Sequence, residues 1–172
     1  MINAIIEESG EEKSFKTTSQ TLPLAQMEEE IKAAYIKLLC NFAYDDGVVD
    51  SKEYEEITSL IARIEITSKW RLELRNYMSA IRNIEENDTL LQFIYNNIPE
   101  GSFDIVKKSL IKDILYIFKL ENYGIWSENL FILDLQNKLN LENEQINIIL
   151  SAIQSDEDIL KQKKMIQILK KQ

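Results

Sequence analysis

Apolar residues recur at spacings of three and four along most of this chain, and that period admits one kind of fold. The first run, Leu24, Met27, Ile31, Tyr35, Leu38 and Phe42, shares one side of a helix. Tyr54, Ile57, Ile61 and Ile64 mark a second buried stripe, and Trp70, Leu74, Tyr77 and Ile81 a third. Val106, Leu110, Ile114 and Ile117, bordered by Ile111, Leu115 and Phe118, give a wider face, which predicts a central, nearly surrounded helix. No stretch alternates cleanly as a half-buried strand does. Four glycines and two prolines in 172 residues leave little for the turns of a β-sandwich or for Gly-rich phosphate loops. The expected class is all-α, with seven to eight helices.

Punctuation between the stripes sets the expected boundaries. Pro23 suits a first helical turn, and Gly47 can close that helix near Asp45. Asp50-Ser51-Lys52-Glu53 has the form of a capping box, in which the first and last side chains satisfy each other's backbone N–H. Thr67 or Ser68 opens a third helix, Asn87 or Asp88 caps a shorter one, and residues 99–102 (PEGS) break the chain before the long helix. Further starts are expected at Ser127, after Leu141 and behind Ser155, the last helix ending in KKMIQILKKQ, where lysines suit the negative end of the helix dipole. Residues 1–20 show no period and are expected to form a flexible polar arm, leaving 21–172 as a single helical domain. Aligning Gly47 with Gly124 sets Val49 against Trp126, Asp50 against Ser127 and Tyr54 against Phe131. Two related helical hairpins about a pseudo-twofold axis would explain that echo.

Composition narrows the chemistry. The chain has no histidine, which removes Ser-His-Asp and Cys-His catalysis, His-ligated zinc and the usual general base near neutral pH. Its one cysteine, Cys40, lies in the apolar run IKLLCNFA and reads as a buried thiol. Neither a P-loop nor a dinucleotide fingerprint nor a nucleophile elbow occurs, so no enzyme is expected. The net charge of −9 favours basic proteins and cations as partners and disfavours nucleic acid and anionic membranes. With no signal-peptide pattern and no apolar stretch of membrane-spanning length, a cytoplasmic location is expected, and the Ile, Asn and Lys richness hints at a bacterial source.

One stretch, AYDDGVVDSKEYEEI over residues 43–57, crowds six carboxylates around Gly47. Three roles are open to it: a plain helix stop and start, a metal site, or a contact with a basic partner. An EF-hand is excluded, because with Gly47 as the loop glycine Phe42 and Tyr44 fall where the first and third ligands belong. Asp45 and Asp46 sit where negative charge opposes a helix dipole by about 0.3–1 kcal/mol, so a cation or a basic side chain would relieve them.

The segment DGVVDSKE resembles the D-G-x-[IVL]-[DS]-x-x-E signature of the tellurite-resistance TerB family, and its helical flanks resemble that family over roughly residues 27–153. The resemblance implies an all-helical pair of hairpins and a divalent cation, calcium or magnesium, at Asp46, Asp50 and Glu53. The second copy departs from the signature, with Tyr123 and Leu130 where the acidic residues would stand. Together these features lead to the expectation of a non-enzymatic acidic binding protein. Its first reading is neutralisation of a basic protein such as a toxin nuclease, in the manner of bacterial immunity proteins, through Asp45, Asp46, Asp50, Glu55 and Glu56. The alternative is a TerB-like cation-binding stress protein.

Overall fold

The computed structural model describes residues 23–45, 47, 49–79, 85–120 and 124–171. The arm expected over residues 1–20, together with Asp46, Ile81 and Tyr123, lies outside them. The described residues are helices, turns and connecting segments with no strand, as the three-and-four spacing predicts. Seven α-helices lie among them: α1 Glu29–Ala43, α2 Ser51–Arg63, α3 Ser68–Ser79, α4 Asn87–Asn97, α5 Phe103–Leu120, α6 Leu130–Lys138 and α7 Asn143–Lys170. None is long and apolar enough to cross a membrane. The chain divides into two compact units, one ending at Leu110 and the other beginning at Ile111, so the border falls within α5.

In the first unit α1 is the central element, packed against α2, α3 and α4. Twelve of its fifteen residues are buried, and only Glu29, Glu30 and Lys37 keep access to solvent. The stripe from Ile31 to Phe42 covers one side, and Ala33, Ala34, Ile36, Leu39, Cys40 and Ala43 cover the others. Burying α1 on every side also encloses polar groups. The Lys32 ammonium donates to the Glu65 carbonyl at 3.4 Å. The Asn41 amide donates to the Glu85 carbonyl at 2.9 Å and to Asn87 Oδ1 at 2.8 Å. Its own oxygen accepts from the Tyr77 hydroxyl at 2.7 Å, and that hydroxyl accepts from the Glu85 N–H at 3.1 Å. Asn41 is thereby satisfied at both ends, which offsets the cost of burying an amide. Lys37 pairs with Glu85 at 2.6 Å and lies 5.3 Å from the centre of the Tyr77 ring. These contacts fasten α1 to α3 and to the segment that enters α4.

The second unit holds the remainder of α5 with α6 and α7. Ile111, Ile114, Leu115, Ile117 and Phe118 on α5 are buried, as are Ile132 and Leu135 on α6 and Ile146 and Ile153 on α7. Lys112 reaches Asp156 at 3.4 Å and Lys119 reaches Glu157 at 3.3 Å, so α5 and the middle of α7 are also tied by charge.

Several boundaries differ from expectation for local reasons. Pro23 precedes a 3-10 turn, Leu24–Gln26, and α1 starts only at Glu29. Glu86, rather than Asn87 or Asp88, stands at the cap position of α4, because the Asn87 side chain is taken by Asn41. Ser127 lies inside the 3-10 turn Trp126–Glu128, and the cap of α6 is Asn129, whose Oδ1 accepts from the Ile132 N–H at 3.0 Å. Ser155 breaks nothing: α7 runs unbroken for 28 residues, with no glycine or proline to interrupt its hydrogen-bond ladder. Although α5 has its wide apolar face, Asp104, Lys108 and Lys112 keep an exposed charged edge on it, so α1 is the surrounded helix instead.

Candidate functional site

The acidic stretch is built by the end of α1 and the start of α2. The Tyr44 N–H donates to the Cys40 carbonyl at 2.9 Å and the Gly47 N–H to the Tyr44 carbonyl at 2.8 Å, closing the last turn. Gly47 has φ of 91°, a left-handed conformation that a side chain would strain even though a Cβ there meets open space. Asp50 is extended and caps α2. Its Oδ1 accepts from the Glu53 N–H at 2.9 Å, and Glu53 Oε2 accepts from the Asp50 N–H at 2.8 Å. The capping box is complete.

That box decides which carboxylates face outward. The buried stripe of α2 is Glu53, Ile57, Leu60 and Ile61, so Glu53 takes the inward position that the spacing assigns to Tyr54. Its carboxylate folds back to the backbone and is 1% exposed, whereas Tyr54 is 43% exposed. Asp45, Asp50 and Glu55 are exposed. Asp45 and Glu55 enter no ion pair with another described residue, while Glu56 is half-buried and held by Arg63 at 3.1 Å. Of the five carboxylates expected to meet a partner, Asp45, Asp50 and Glu55 are therefore exposed, as is Tyr54. Glu56 is partly committed within the chain, and Asp46 lies outside the described residues.

Of the three expected metal ligands, Asp50 and Glu53 are brought together, with one oxygen of each used on backbone N–H groups. Among the described residues no three acidic or cysteine side chains are gathered so as to hold an ion. Cys40 is fully buried, and burial pushes its thiol up to about 12. A thiol so placed is protonated and inaccessible at neutral pH.

A second feature is not legible in the acidic motif. A groove of about 230 Å³ opens among Ala33, Ala34, Trp70, Leu90 and Phe93, with Glu30, Lys37, Glu85 and Thr89 around it. Paired small residues on α1 make the hollow, and Trp70 and Phe93 supply aromatic walls. The sequence signal for it is Phe93, which stands beside the buried pair Leu90 and Ile94 and is 38% exposed. Lys37 and Asp45 are eight residues apart, so groove and acidic stretch are separated by about 12 Å along the α1 axis. Comparison of the chain with family models, with curated proteins and with solved structures found no match to it.

Proposed function

We propose that this protein is a non-enzymatic binding protein that receives a basic protein partner on the first unit, in the manner of an immunity protein covering the positive active-site surface of a toxin nuclease. The observation that carries this reading is that Asp45, Asp50 and Glu55, close together in the chain, are all exposed, as is Tyr54. Exposed carboxylates without internal cations raise the rate of encounter with a basic surface, and a tyrosine among them offers contact area at small entropic cost. The groove lined by Trp70 and Phe93 suits an apolar side chain of the same partner, giving the aromatic centre and charged rim common to protein interfaces. A net charge of −9 adds long-range attraction.

The test begins with native mass spectrometry of the protein drawn gently from its own host. A stoichiometric basic protein is expected in the spectrum. Glu55→Lys combined with Asp45→Lys should then slow association about tenfold or more and flatten its salt dependence, with dissociation changed less. A complex indifferent to salt and to both substitutions would move the interface off this stretch. The cation reading takes second place because the capping box already employs Asp50 and Glu53. A rise in melting temperature with calcium or magnesium, lost in Asp46→Ala, would restore it.

A further inference from the structure

The last three turns of α7 carry a surface unlike the rest of the molecule. From Ile159 to Lys171 every described residue is exposed, and among them Ile159, Leu160, Met165, Ile166, Ile168 and Leu169 are each about half exposed or more. The same segment holds Lys161, Lys163, Lys164, Lys170 and Lys171 and no acidic residue, in a chain of net charge −9. None of these five lysines enters an ion pair among the described residues. The nearest acidic residue on the helix, Asp158, accepts from Gln154 at 3.1 Å and enters no ion pair with a described residue, and Asp156 and Glu157 before it are held by Lys112 and Lys119 of α5.

Four of these six apolar residues are not an overrun of the core. At about 100° per residue, Ile146, Ile149, Leu150 and Ile153 centre on one side of α7, while Ile159, Met165, Ile166 and Leu169 centre on roughly the opposite side. Beyond Ile153 the first side still carries Leu160 and Ile168 but is interrupted by Glu157, Lys164 and Lys171. The second is interrupted, from Ile159 onward, by the uncharged Gln162 alone. One helix therefore gains a second, uncharged apolar side part-way along, flanked by lysines.

From this pattern we infer that residues 159–171 form a peripheral binding helix for an anionic lipid surface, with Ile159, Met165, Ile166 and Leu169 entering the headgroup boundary. Charge complementarity names the occupant: an uncompensated basic, amphipathic helix meets acidic headgroups, and lysine stems can lie along the apolar boundary with their ammonium groups in water. A protein groove fits less well. Binding surfaces on proteins favour Arg, Trp and Tyr and are poor in Lys, and this segment has lysines and none of those three. The net negative charge disfavours long-range approach to such a surface, so binding is weak, short-ranged and salt-sensitive. This inference is independent of the partner proposed for the first unit.

The experiment is flotation of the full chain with vesicles of equal parts phosphatidylglycerol and phosphatidylcholine, against vesicles of phosphatidylcholine alone. Binding to the first and not the second is expected, with a several-fold loss on Lys163→Glu combined with Lys164→Glu and a comparable loss on Ile166→Asp. Circular dichroism should show both variants as helical as the parent. No binding to the anionic vesicles would overturn the inference. So would loss with the lysine variant but none with Ile166→Asp, which would mean charge attraction alone. Self-association in sedimentation velocity that Ile166→Asp abolishes would also overturn it, by assigning the stripe to a second copy of the chain.

Discussion

Helix α1 and the end of α7 have similar ingredients and opposite fates. Each mixes branched aliphatic residues with lysine, and each has the helical spacing. In α1 apolar or small residues occupy every side, so the helix is enclosed and its lysines must find partners: Lys32 a carbonyl, Lys37 a carboxylate. In residues 159–171 five lysines, with Leu160 and Ile168 among them, occupy one side of the helix and leave the other uncharged, and the whole segment stays in water. Apolar content does not distinguish a core helix from a surface one. The arrangement of charge around the helix does.

The largest test of that contrast is truncation at matched positions. Leu39→Ala in α1 should cost about 2–5 kcal/mol in denaturant unfolding, because a cavity forms where no neighbour can fill it. Ile166→Ala in α7 should cost about 0.5 kcal/mol or less. Equal costs would mean that the end of α7 is packed in solution.

A second difference appears at high pH. Burial raises the Cys40 thiol from 9.0 to about 12 in the folded chain. Above the lower value the unfolded chain releases the proton while the folded one retains it, so unfolding gains ground as pH rises. Stability should be full below pH 9 and decline between there and about 12, by an amount on the order of a few kcal/mol. Cys40→Ala should flatten that decline in melting curves taken across the range.

A smaller effect is expected from the amide inside α1. Asn41→Ala leaves the Tyr77 hydroxyl and the Glu85 carbonyl without this partner and should cost about 1–3 kcal/mol. Tyr77→Phe in the same background should then cost less than it does alone, a coupling that a double-mutant cycle measures. The smallest effect belongs to the opening of α2. Asp50→Ala removes one half of the capping box and should lower stability by about 0.5–2 kcal/mol, toward the low end if Ser51 supplies a replacement acceptor.

Much of the fold was legible because it depends on local rules. The stop at Gly47 and the box of Asp50 with Glu53 stand where the spacing places them, since both need only a left-handed residue and two short-range hydrogen bonds. Legibility fails where a distant residue intervenes. Asn87 looks like a cap from its neighbours, but Asn41, 46 residues earlier, takes its side chain. Tyr54 fits an apolar stripe, yet Glu53 turns inward because its carboxylate has backbone work to do. Ser155 resembles a helix start although nothing before it ends a helix. At the acidic stretch the sequence shows how many carboxylates are present. It does not show that Glu56 is engaged by Arg63 while Asp45 and Glu55 face outward.

The placement of Cys40 has one more consequence. It is the chain's single thiol and sits on the most enclosed helix of the first unit. An alkylating reagent added to native protein can react only during openings that uncover α1. The rate of labelling therefore clocks how often this helix is released, without any engineered probe, and a bound partner that steadies the first unit would be visible as a slower clock.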